Sequence, residues 1–121
     1  MKIGVDVGGS HIAVGVVSDE GKILSKQEKD LVFENEDKEQ LIRDTIVSLI
    51  NNAIRRINIP IFLIEKIGIG IPGEVQNNKV KKCTKFEVFD WDLAGELEDF
   101  YKVKVELSND GYLDRKSTRL N

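Results

Sequence analysis

Three short stretches hold residue types that could do chemistry together. Asp6-Val7-Gly8-Gly9-Ser10 sets a carboxylate two residues before a pair of glycines and a hydroxyl directly after them. Ile67-Gly68-Ile69-Gly70-Ile71-Pro72-Gly73 runs an apolar stretch into a glycine–proline turn, and Glu106-Leu107-Ser108-Asn109-Asp110-Gly111 ends an alternating stretch on an amide, a carboxylate and a glycine. A carboxylate beside bare backbone N–H groups and a hydroxyl suits a metal-bound phosphate chain. The N–H groups donate to phosphate oxygens and the acid partners a hydrated Mg²⁺. The same five residues also describe a plain hairpin turn, in which glycines supply the positive φ of a two-residue connection. Asn-Asp-Gly is likewise a common turn.

Gly68-x-Gly70-x-x-Gly73 matches the letters of a dinucleotide fingerprint. That motif works only where its glycines open a helix whose N-terminus faces a pyrophosphate. Here Pro72 and a hairpin-like stretch, Glu74 to Lys82 around Asn77-Asn78, follow instead. The glycines then read either as close-packing residues or as a substrate-lining loop at the carboxyl end of a strand. His11 reads as a partly exposed hairpin residue and Cys83 as an inert thiol.

The elements that would position these residues follow from periodicity. Ile3, Val5 and Val7 make a first strand that carries Asp6 as an inward-facing acid; Ile12 to Val17 makes a second, and Lys22 to Lys29 a third after the Asp19–Lys22 turn. The three form an antiparallel meander. Residues 31–37 read as a loop, and from Asp37 the period becomes helical. Leu41, Ile42, Thr45, Ile46, Leu49, Ile50, Ala53, Ile54 and Ile57 form one apolar stripe, with Asp37 placed as the N-cap. This helix, about 18 residues and about 27 Å long, stops before Asn58-Ile59-Pro60. Isoleucine-rich Ile67–Ile71 suits a strand in a parallel sheet. Leu93 to Tyr101 is a short helix and Val103 to Leu107 a last strand. The class is α/β, and Asp6, the Pro72-Gly73 turn and Asp110 all fall at or near carboxyl ends of strands, where they could share one cleft.

The chain has 121 residues, 40% hydrophobic and 32% charged, with a formal charge of −3. That is one domain's worth of ordinary globular composition. A mildly acidic chain gives no electrostatic reason to expect nucleic acid or an anionic membrane. One cysteine forms no internal disulfide, no Cys/His cluster has zinc spacing, and no signal peptide or membrane-length apolar run is visible. A cytoplasmic protein is the expectation. Asp114 to Asn121 reads DRKSTRLN, which a common sequencing adapter encodes in one frame without a mismatch. Residues 114–121 are therefore expected to be a non-native tail and are left out of the fold.

Taken in order and spacing, Asp6–Ser10, Gly68–Gly73, Asp90-Trp91-Asp92 and Glu106–Gly111 resemble the N-terminal lobe of a ROK-family sugar kinase, a glucokinase-like member of the actin-like ATPase superfamily. The resemblance spans residues 1–113. It implies a ribonuclease-H-like lobe, a three-strand antiparallel meander extended by parallel strands with helices packed on the sheet, and a second lobe in the full protein. It further implies ATP-dependent phosphorylation of a hexose or N-acetylhexosamine hydroxyl. Asp6 would hold Mg²⁺ through water; Gly8, Gly9 and Ser10 would cradle the ATP phosphates; Gly73 would line the sugar site; Asn109 would bond a sugar hydroxyl; and Asp110 would be the catalytic base. The adenine pocket and any structural Zn²⁺ would belong to the second lobe, and the full protein would be a homodimer. By the same resemblance the 121-residue chain alone would be inactive. Ser10-His11 stands where Thr-Lys is more usual, and Glu87 to Asp90 offers no asparagine before Trp91, so the sugar stays open. The alternatives are a ROK-type sugar-responsive transcriptional regulator, for which no helix-turn-helix fits ahead of the first strand, and a non-catalytic sugar-binding or actin-like protein.

Overall fold

A computed structural model describes residues 1–109; Asp110, Gly111 and the 114–121 tail lie outside the described residues. The elements run β1 (Lys2–Val7), β2 (His11–Val17), β3 (Ile23–Asp30), α1 (Lys38–Arg56), a 3₁₀ turn (Ile61–Leu63), β4 (Lys66–Gly70), β5 (Glu74–Gln76), β6 (Lys79–Cys83), β7 (Val88–Trp91), α2 (Leu93–Tyr101) and β8 (Lys104–Ser108). β1, β2, β3, β4 and β8 form one sheet in the order β3-β2-β1-β4-β8. Its first three strands are the expected antiparallel meander, and β4 and β8 extend it in parallel with β1.

Side chains alternate across a strand, so register divides this sheet into two unlike faces. Ile3 and Val5 of β1 sit beside Val16 and Val14 of β2 and beside Ile67 and Ile69 of β4, which in turn meet Val105 and Leu107 of β8. These residues are buried in one core with α1 and α2. Burying a side chain of this kind is worth about 1.5–3 kcal/mol, and that apolar face holds the lobe together. The opposite face is paved with small residues: Gly15, Gly4 and Gly68 lie side by side across three strands. Asp6 stands on this second face, half-buried, between Ala13 and Gly70. The acid expected to point inward thus lies opposite the aliphatic core, because it is one residue out of phase with Val5 and Val7.

Both helices start on an aspartate. The Asp37 carboxylate accepts from the Gln40 N–H at 3.2 Å, and Asp92 accepts from the Gly95 N–H at 3.1 Å. Ile42, Thr45, Ile46, Leu49, Ile50 and Ala53 are the buried stripe of α1, while Leu41, Ile54 and Ile57 pack at its margin. α2 is tied to α1 by Glu96, which accepts from the Trp91 indole N–H at 3.0 Å and from Arg43 at 2.6 Å. Tyr101 adds a second tie, donating to the Asn51 side chain at 2.9 Å, and burial pushes its phenol up.

A second sheet, β5-β6-β7, was only half expected. The hairpin β5–β6 forms around Asn77-Asn78, both at positive φ (54° and 59°), as a two-residue turn requires. β7 has no sequence signature because its buried residues, Val88 and Trp91, are three apart. Asp90, at φ 51°, breaks the alternation between them. The small sheet reaches the large one through Asn78, whose amide donates to Val105 O at 2.9 Å and accepts from Leu107 N at 2.7 Å. That side chain satisfies the outer edge of β8, an edge that would otherwise offer unpaired backbone groups. Among the described residues, no helix is long and apolar enough to cross a membrane.

Candidate functional site

The parallel register brings the candidate strand ends together. Asp6 pairs with Gly70, and Gly70 with Ser108, in one row across β1, β4 and β8. Pairing continues one step past the strands, where Ile71 N–H donates to Ser108 O at 2.9 Å. That bond holds Pro72 and Asn109 side by side at the carboxyl edge of the sheet, the position where ligands collect in open α/β sheets. A cleft of about 270 Å³ opens there, lined by Asp6, Val7, Gly8, Gly70, Ile71, Pro72 and Asn109. A larger depression, about 540 Å³, lies at the α2–β8 junction among Glu98, Asp99 and Lys102. We place the site in the smaller cleft, where the carboxyl ends of β1, β4 and β8 converge with a carboxylate and an amide.

The turn between β1 and β2 departs from the expected one in a useful way. Neither Gly8 nor Gly9 is in the left-handed region; the glycines at positive φ are Gly21 and Gly73. Gly8 N–H is spent inside the hairpin, donating to His11 O at 2.7 Å, so it is not free for a phosphate oxygen. Among the described residues, the N–H groups of Gly9 and Ser10 and the Ser10 hydroxyl take no partner, and Ser10 is exposed. Lys85 reaches this turn: the end of its flexible side chain stands where a Cβ on Gly9 would be. The N–H groups open in this turn are therefore those of Gly9 and Ser10, with Gly8 tied back to His11.

Gly73 is held by both geometry and space. Its φ is +109°, and an added Cβ would collide with the carbonyl of Lys82 and come within 3.0 Å of Cys83 Cα. Gly73 thus locks the start of the small sheet against β6, and it does not line the 270 Å³ cleft. The Asp90-Trp91-Asp92 stretch is architectural here: Trp91 is buried, Asp92 caps α2, and Asp90 faces Lys81 at 3.4 Å. His11 is turned toward β3, with Asp30 at 2.9 Å and Glu28 at 3.5 Å. Cys83 is buried with a free thiol. Asp110 lies outside the described residues.

Among the described residues, no group of three or more His, Cys, Asp or Glu converges to hold an ion. One carboxylate fits Mg²⁺ only through the waters that this ion keeps when it is shared with phosphates. Asp6 is the carboxylate of the row that fits that role. Lys85 is the residue near the turn that the sequence did not bring forward. It is 76 positions away from Gly9, in a turn between two strands of which one was not expected.

The sequence pattern of the ROK family matches residues 2–113. A glucokinase of Thermotoga maritima is 36% identical, over 89% of this chain and 33% of its own length. The chain therefore spans about one third of the length of that relative. The structure superposes on a ROK family glucokinase from Streptomyces griseus, solved with glucose and AMPPNP, with a TM-score of 0.74 and 28% identity, covering 89% of this chain and 32% of the other. A ROK family transcriptional regulator, a homologue of the E. coli MLC protein, superposes with a TM-score of 0.71 at 16% identity, covering 90% and 27%. That last likeness is one of fold. ROK sugar kinases have the actin-like ATPase fold, which is the fold of this lobe.

Proposed function

Because this chain belongs to the ROK family, we propose that it is the phosphate-binding lobe of an ATP-dependent sugar kinase acting on a hexose or N-acetylhexosamine hydroxyl. A second lobe would supply the other wall of the cleft and the adenine pocket. The observation that carries this reading is the row Asp6–Gly70–Ser108 with Asn109 beside it, which gathers an acid, a donor-bearing turn and an amide on one edge. Phosphoryl transfer asks a protein mainly for positioning and charge neutralisation. Gly9 and Ser10 offer N–H and O–H donors to the donor's phosphate oxygens. Asp6 would hold hydrated Mg²⁺, which neutralises charge on the phosphate chain. Asn109 hydrogen-bonds a sugar hydroxyl, and Asp110 accepts the proton of the attacking hydroxyl as the new P–O bond forms. Gly73 serves the sugar side indirectly, by fixing where Pro72 leaves β4.

The kinase relatives at 36% and 28% identity favour this reading over the regulator, whose likeness is one of fold at 16%. The test is a screen of hexoses and N-acetylhexosamines with ATP and Mg²⁺, using the protein with its second lobe. Sugar-dependent ADP release is expected. In that protein Asp110→Asn should lower turnover by about 10²–10⁴-fold, the usual worth of a general base, with sugar binding kept. Near-normal turnover in Asp110→Asn removes the base assignment, and no turnover with any sugar removes the kinase reading.

A further inference from the structure

Lys85 belongs to none of the motifs that define the cleft, yet its ammonium lies directly on Gly9, where a Cβ would occupy the same space. It is carried by the tight turn Thr84–Glu87 between β6 and β7, closed by Glu87 N–H donating to Thr84 O at 3.2 Å. The turn is anchored on both sides of the lysine. Cys83 and Phe86 are each 1% exposed, and Phe86 packs on Phe33 with ring centroids 5.5 Å apart. The backbone that aims Lys85 is thus fixed, while the side chain itself is exposed.

The charges around it are arranged differently. Lys38 is paired with Glu87 at 3.0 Å, Lys81 with Asp90 at 3.4 Å, and His11 is held by Asp30 and Glu28. Among the described residues Lys85 forms no ion pair. A cation with no carboxylate partner therefore rests on a turn whose N–H donors at Gly9 and Ser10 are also unspent. Ammonium and backbone donors converging on one spot make an anion site, and a lysine suits phosphate as a compact charge with three donors.

We propose that Lys85 binds the phosphoanhydride chain of the phosphoryl donor, closing over Gly9 so that the chain lies between its ammonium and the Gly9–Ser10 N–H groups. This rests on the kinase reading for the identity of the donor, but not for the presence of the anion site. The small sheet then contributes directly to donor binding.

The experiment compares Lys85→Met, which keeps most of the aliphatic stem, with Lys85→Arg, which keeps the charge, in the protein with its second lobe. Removing one charged hydrogen bond to phosphate should raise the KM for ATP about 10-fold or more in Lys85→Met. The sugar KM and the melting temperature should stay near wild type, and Lys85→Arg should recover most of the loss. An unchanged KM for ATP in Lys85→Met overturns the inference while the kinase reading stands. So does a loss that Lys85→Arg shares in full with a lowered melting temperature, since that marks a packing role. Calorimetric titration with inorganic tripolyphosphate separates the two claims if no sugar supports turnover. Binding that Lys85→Met weakens keeps the anion site and removes only the kinase, and binding of equal strength in both proteins overturns the inference.

Discussion

The two sheets of this lobe are held in place by different physics. The five-stranded sheet is fixed by aliphatic burial: Ile3, Val14, Ile67 and Ile69 have no exposed surface and share one core with α1. The three-stranded sheet joins the same core through Val80, Cys83, Phe86, Val88 and Trp91, and is further placed by polar side chains and special backbone. Four of the residues at positive φ other than glycine, Asn77, Asn78, Glu87 and Asp90, belong to it, and Asn78 docks it to β8 through two hydrogen bonds. The first sheet sets the row of strand ends where chemistry would occur. The second brings Lys85 to Gly9.

That contrast can be broken from either side. Ile69→Ala, in the interior strand β4, should cost about 2–5 kcal/mol, and denaturant unfolding should show both sheets lost in one transition. If the small sheet survives that loss, the two do not share a core as described. Gly73→Ala meets a positive φ and a carbonyl in its way, so it should cost about 1–3 kcal/mol. Its mark should be faster amide exchange confined to β5 and β6, with β1 and β4 unchanged. Asn78→Ala leaves the Leu107 N–H and the Val105 carbonyl without their partner. A cost of about 1–2 kcal/mol is expected, read as early exchange of the Leu107 amide. Equal protection of that amide in the variant would mean the edge of β8 is covered by something other than Asn78.

The same contrast explains what could be read in advance. β1, β3, α1, α2 and β8 carry a period of two or 3.6, β2 and β4 read as apolar runs buried on both faces, and the Asp37 cap and the Asn77-Asn78 hairpin carry their own local chemistry. The α2 bounds, Leu93 to Tyr101, match the expected ones. β7 could not be read because its inward residues are set by a kink at Asp90, which is a backbone choice made by tertiary contacts. Within the site, the convergence of Asp6 with Asn109 followed from strands known to end near each other. The conformation of the turn did not: sequence suggested positive φ at Gly8 and Gly9, whereas neither is in the left-handed region and the Lys85 side chain reaches Gly9. A contact across 76 residues leaves no trace in local pattern.

The central claim is that the carboxyl edge of the large sheet is the phosphate side of a phosphoryl-transfer cleft, with Asp6 as its acid. The most direct measurement is sugar-dependent ATP turnover by the protein with its second lobe, wild type against Asp6→Asn, across a range of Mg²⁺ concentrations. The account predicts turnover in wild type, a loss of about 10²-fold or more in Asp6→Asn, as expected when charge neutralisation at the reacting phosphate is removed, and a requirement for more Mg²⁺ in what remains. Turnover in Asp6→Asn within a few-fold of wild type, with the same Mg²⁺ dependence, would contradict it.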